Sequence, residues 1–113
     1  MRDKIYNEVT IEVIVRPEDM PVRGNYIVSG DDAYDKEQED KIIAASQWNE
    51  WAWCVVEVRG TWNGLEASSY LGGCSYDSEK EFRDDDYFRS MKMEVCEELT
   101  KLAQKIVNSA TNA

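Results

Sequence analysis

Histidine is absent from the 113-residue chain. With it goes the side chain that most often serves as general base, the commonest zinc ligand and the usual switch near neutral pH. A Ser–His or Cys–His nucleophile pair is excluded by the same absence. Positive charge is also scarce: 13 Lys and Arg stand against 23 Asp and Glu, a formal net charge of −10. Binders of nucleic acid and of anionic membranes draw their affinity from neutralising phosphates, so neither role is expected. Cysteine is limited to Cys54, Cys74 and Cys96, an odd set with no Cys-x-x-Cys pair. The opening Met1-Arg2-Asp3-Lys4-Ile5-Tyr6 is mostly polar, so no signal segment is expected, and no run reaches the roughly 18 apolar residues of a membrane span. These features predict a cytoplasmic protein with reduced thiols. No phosphate-binding or dinucleotide loop occurs, and no cofactor or metal is expected.

What is present suits a folded domain. Hydrophobic residues make up 42% and aromatics 11% of the chain, with four Trp and six Tyr. A chain of this length buries enough surface for one core without staples, so residues 1–113 read as a single α+β domain. Val9, Ile11, Val13 and Val15 alternate with Thr10, Glu12 and Arg16, which predicts a half-buried strand over 9–15 ended by Pro17. Residues 17–30 read as an extended loop with room for a short strand about Tyr26-Ile27-Val28. A second strand is expected over 51–62, with Trp51, Trp53 and Val55 on one face and Cys54, Val56, Val58 and Trp62 on the other. Asn63-Gly64 then forms a type I′ turn, and a partner strand follows over 65–71 to the flexible Gly72-Gly73.

Helices are expected on both sides of these strands. Asp31 or Asp32 caps one over 33–47, with Tyr34, Ile42 and Ala45 near its apolar stripe. Ser78-Glu79-Lys80-Glu81 is a capping box that starts a short helix, which Asp84-Asp85-Asp86 breaks or re-caps. Tyr87, Met91, Val95, Leu99, Leu102 and Ile106 hold helical spacing to the end of the chain, with fraying from 109 to 113. The architecture predicted is a three-stranded antiparallel sheet packed by two or three helices.

Each candidate site has a plain structural counterpart. Cys74, after two glycines and before a helix start, could have a lowered thiol pKa, but a small residue in a tight turn explains it better. Cys54 and Cys96 read as core. Consecutive carboxylates at Asp84, Asp85 and Asp86 splay apart on a helix and lack the alternation of a calcium loop. The acidic stretches carry more weight. Asp31, Asp32, Asp35, Glu37, Glu39 and Asp40 fall in ten residues with only Lys36 opposing them. If helical, that segment spans about 15 Å, one net negative charge per ~3 Å, close to the charge spacing of a DNA strand. Residues 77–98 hold nine further acids against four bases. Trp48, Trp51, Trp53 and Trp62 allow a nucleotide pocket if Arg16, Arg23 and Arg59 gather for the phosphates, although core packing with one exposed interface aromatic is the simpler reading.

Trp51-Ala52-Trp53-Cys54-Val55-Val56, Leu71-Gly72-Gly73-Cys74-Ser75-Tyr76, Phe82 and Tyr87-Phe88-Arg89-Ser90-Met91 resemble small acidic proteins of bacteriophages and mobile elements. The likeness covers about residues 20–95 and implies work in the cytoplasm of a bacterial host. Small acidic proteins of that setting include anti-CRISPR and anti-restriction inhibitors, which bind and do not catalyse. The expectation is therefore a non-enzymatic protein that covers a basic, nucleic-acid-binding surface of a host protein such as a CRISPR effector or other nuclease. Asp31, Asp32, Asp35, Glu37, Glu39, Asp40, Asp84, Asp85 and Asp86 would make the contact, with Trp48 or Trp51 as anchor. The alternative is a small-ligand protein that sequesters a nucleotide in a Trp-lined pocket.

Overall fold

A computed structural model describes residues 1–26 and 29–112. In chain order the elements are α1 (Arg2–Glu8), β1 (Thr10–Pro17), α2 (Asp32–Ala45), a 3-10 turn (Glu50–Ala52), β2 (Cys54–Trp62), β3 (Leu65–Cys74), α3 (Glu79–Arg83) and α4 (Asp86–Asn112). The strands form one antiparallel sheet in the order β1-β2-β3, so the α+β class and its three-stranded sheet are observed. Four helices accompany it, one more than expected. The expected short strand at Tyr26-Ile27-Val28 falls partly on residues 27 and 28, outside the described residues. Tertiary contacts group the chain into two compact units, one of Met1–Ile14, Glu57–Ser69 and the segment from Asp85 onward, the other of Val15–Val56 and Tyr70–Asp84. Every strand passes from one unit to the other.

The first unit is built on the hairpin. Asn63 (φ +49°) and Gly64 (φ +79°) both occupy the left-handed region that a type I′ turn requires. Val58 is fully buried, and Gly60 is buried because α4 crosses directly over it. A Cβ at Gly60 would stand 2.4 Å from Cγ1 of Val95 and 3.0 Å from Cγ2 of Val9. Met91, Val95, Cys96, Leu99 and Ala103 form the buried face of α4. Tyr87 and Ile106, expected on that stripe, are instead exposed by 57% and 56%. A helix of 27 residues runs about 40 Å, longer than the strand segments it packs on, so its ends overhang. It stays helical through Asn112, beyond the expected fraying point.

α1 escapes sequence reading because it buries one residue, Ile5, and a single apolar position has no period. It is held to α4 by Ile5 in the core, by Lys92 Nζ lying 4.0 Å over the Tyr6 ring and by an Arg2–Glu97 pair at 3.7 Å. From Glu57 onward the odd-numbered face of β2 is polar. Glu57, only 2% exposed, accepts from Arg59 Nε at 3.1 Å and from Ser68 Oγ at 2.7 Å. Arg59 also reaches Glu12 and Glu66, each at 3.7 Å.

The second unit is aromatic. Residues 51–53, expected as strand, are not: Asn49 Oδ1 accepts the Trp51 N–H at 3.1 Å and caps a 3-10 turn. Trp53 packs with Val22 and Ile42, and its Nε1–H donates to the Met20 carbonyl at 2.6 Å. Trp51, Tyr76 and the fully buried Phe82 pack together, Tyr76 edge-on to both other rings, with centroids 5.2–6.4 Å apart. Ser78 Oγ accepts the Glu81 N–H at 3.3 Å, the expected cap of α3. β3 runs past Leu71 to Cys74.

Gly60→Ala is expected to lower the unfolding free energy by about 1–3 kcal/mol, because the stiff Val95 side chain cannot step aside. Urea denaturation of Gly60→Ala, Val95→Ala and the double variant checks this. The double variant should be more stable than the sum of the single losses, and simple additivity would count against the close approach.

Candidate partner-binding surface

The acidic stretch lies on α2 and its N-terminal approach. Asp31 is the N-cap, with its Oδ1 accepting the Tyr34 N–H at 3.1 Å. Asp35 turns back to Ser29, accepting from its Oγ at 2.7 Å and its N–H at 3.1 Å. Glu37 pairs with Lys41 one turn on, at 3.4 Å. Asp40 pairs with Arg23, which raises the guanidinium pKa chiefly through that hydrogen bond. Asp32 is exposed in the first helical turn, where the helix dipole favours it.

Glu39 requires a correction. It was expected on the solvated acidic face, but it is 8% exposed and accepts the Gly24 N–H at 2.7 Å and an Arg23 N–H at 3.4 Å. Its carboxylate fixes the Arg23-Gly24 turn to α2, so it is not available to a partner. The reason is that α2 buries only Glu39 and Ile42, while Tyr34 of the expected apolar stripe is 47% exposed. Helical spacing of three places Glu39 on the Ile42 face.

Trp51 is the second correction. It was offered as a surface anchor, yet it is buried against Tyr76 and Phe82. Trp48 behaves in the opposite way and is 79% exposed, more than any other large hydrophobic residue described. Its position is fixed from both sides: its N–H donates to the Ala45 carbonyl at 3.1 Å, and neighbouring Asn49 donates Nδ2–H to the Asp77 carbonyl at 3.1 Å. Exposed Trp48 therefore extends from a capped turn at the C-terminal end of α2, in the same unit as the acids from Asp31 to Asp40.

The Asp84, Asp85 and Asp86 carboxylates have three different tasks. Asp84 receives Lys80 Nζ at 2.9 Å and ends α3. Asp85 Oδ1 accepts the Tyr87 N–H at 3.3 Å at the start of α4. Asp86 pairs with Arg89. Asp84 belongs to the unit of α2, whereas Asp85 and Asp86 belong to the other.

Two of the three arginines considered for a phosphate clasp are committed elsewhere: Arg23 to Glu39 and Asp40, Arg59 to Glu57, Glu12 and Glu66. Trp53 is buried and Trp62 donates to Glu8 at 3.1 Å. A cleft of about 190 Å³ beside α2 is lined by Tyr26, Gln38, Lys41, Ile42, Tyr76 and Asp77 among others, with no tryptophan. Ligand pockets are commonly ~300–1,000 Å³. Among the described residues no group of three His, Cys, Asp or Glu is placed to hold a metal ion, and no helix is long and apolar enough to cross a membrane. No family model, curated protein or solved structure matches the chain.

Glu39→Ala should cost about 1–3 kcal/mol by thermal or urea unfolding, since it removes the buried carboxylate that ties the Gly24 N–H and Arg23 to α2. Glu37→Gln, on the exposed side of the same helix, should stay within about 0.5 kcal/mol of the parent. Equal effects at the two positions would contradict the burial of Glu39.

Proposed function

We propose that the protein is a non-enzymatic acidic binder that covers a basic, nucleic-acid-binding surface of a host protein. The partner class is a CRISPR effector or a restriction nuclease, and the setting is the cytoplasm of a phage-infected bacterium. The observation that carries this reading is the exposed Trp48, held on a capped turn at the end of an acidic helix. A large rigid aromatic loses little conformational freedom on binding and is enriched among residues that dominate interface energy. Asp32 and Glu37 on the exposed side of α2, together with the net charge of −10, supply the attraction to a basic surface. The narrower naming of a phage inhibitor rests on the resemblance of residues about 20–95 to small acidic phage proteins.

Of the expected contact set, Asp31, Asp32, Asp35, Glu37, Asp40 and Trp48 remain, and Glu39 and Trp51 drop out. Asp84, Asp85 and Asp86 could add charge at a second point. The nucleotide-sequestering alternative is less well supported, because Trp51 and Trp53 lie in the core and Arg23 and Arg59 are paired with carboxylates.

The test is a titration of the chain into guide-loaded CRISPR effectors and restriction nucleases while their DNA binding is measured. Inhibition is expected at low salt and should weaken by tenfold or more, roughly, across a several-fold rise in ionic strength. Trp48→Ala should weaken it by about tenfold or more, and Asp32→Asn with Glu37→Gln should slow association more than it speeds dissociation. Inhibition insensitive to salt would contradict the electrostatic reading. Tryptophan fluorescence that responds to nucleotides with no effect on any nuclease would favour the alternative.

A further inference from the structure

Cys54 opens β2 and Cys74 closes β3, at the end of the hairpin away from its turn. Counting back from the two-residue turn at Asn63-Gly64, regular pairing sets Trp62 against Leu65 and Cys54 against Gly73. On that register Cys74 would face the opposite side of the sheet. Gly73 removes the mismatch: its φ of +60° is the left-handed conformation that lets a strand take in one extra residue as a bulge. The result is that the Cys54 and Cys74 sulfurs lie 3.6 Å apart. Each thiol also reaches the other residue's backbone, Cys74 donating to the Cys54 carbonyl at 3.2 Å and Cys54 to the Cys74 carbonyl at 3.5 Å.

The two sulfurs are chemically unequal. Cys54 is fully buried, whereas Cys74 is only partly buried. The hydrogen bond from Cys54 stabilises a Cys74 thiolate and lowers the Cys74 pKa, against opposing contributions from burial and from Glu18. The same bond and burial raise the Cys54 pKa. Cys96, the remaining cysteine, is buried in the other unit, and burial raises its pKa.

We propose that Cys54 and Cys74 are a reversible dithiol–disulfide pair, a modification site that reacts with small-molecule disulfides of the glutathione class. Cys74 is the attacking sulfur and Cys54 the resolving one. This does not depend on the binding function proposed above. In the first step the Cys74 thiolate attacks one sulfur of the small disulfide. A mixed disulfide forms on Cys74, the small-molecule S–S bond breaks, and the departing thiolate takes a proton from water. In the second step Cys54 attacks Cys74 Sγ, and its proton passes to the second departing thiolate as the mixed disulfide breaks. Two small thiols are released; the reagent gains two electrons, and the protein pair loses them. The sulfurs need only close from 3.6 Å to the bonded ~2.05 Å. The product staples the bulged end of the hairpin beside Glu18, whose carboxylate holds the Gly73 N–H at 3.1 Å.

The experiment equilibrates the full chain in glutathione buffers of rising oxidised fraction, then quenches with acid and alkylates under denaturing conditions for peptide mass mapping. Two of the three thiols should disappear together, joined as Cys54–Cys74, while Cys96 remains alkylatable. Cys54→Ala should stop with glutathione on Cys74, and Cys74→Ala should leave Cys54 unmodified, both with the near-ultraviolet circular dichroism of the folded chain. The wild-type map stands even where a variant fails to fold. Three alkylatable thiols in excess glutathione disulfide, a bond involving Cys96, or first attack at Cys54 would overturn the proposal.

Discussion

The two-residue period of β2 is the constraint on which the cores depend. Cys54, Val56, Val58 and Gly60 point to one side and are buried without exception. Cys54 and Val56 belong to one compact unit, Val58 and Gly60 to the other. The reverse side carries Glu57 and Arg59, whose charges are satisfied by Ser68, Glu12 and Glu66. A one-residue slip would take Val56 and Val58 off their packing face and part the buried Glu57 carboxylate from Arg59 and Ser68. The cost of leaving that buried charge unpaired disfavours the slipped register.

Most of the fold was legible because its signals are local. Asn63-Gly64 determines the hairpin, Asp31 and Ser78 mark helix starts, and Met91, Val95 and Leu99 recur at helical spacing. The misses have two causes, a partner far away in sequence and a local side-chain cap that leaves no periodic signal. α1 is a helix because Ile5 reaches α4, a partner formed some eighty residues later. Trp51 leaves the strand because an Asn49 side chain competes for its N–H, and alternation carries no record of such a cap.

The candidate surface was legible in outline but not in detail. Composition identifies the acidic stretch; it does not reveal which carboxylates are taken up by the protein itself. Glu39 is indistinguishable from Glu37 until Arg23 and Gly24, some fifteen residues upstream, are brought against it. Trp48 and Trp51 differ only in which side of Asn49 they fall, yet one is exposed and the other lies in a buried aromatic cluster. The Cys54–Cys74 pair depends on the Gly73 bulge, which shifts parity without altering any propensity.

Neither compact unit is a continuous stretch of chain. Ile5 leaves the ribosome well before Met91, Val95 and Leu99, which complete its unit. β1 must therefore wait for α4 with its apolar side uncovered. Nascent chains released early would lack α4 altogether and should be substrates for chaperones or proteases, not small folded fragments.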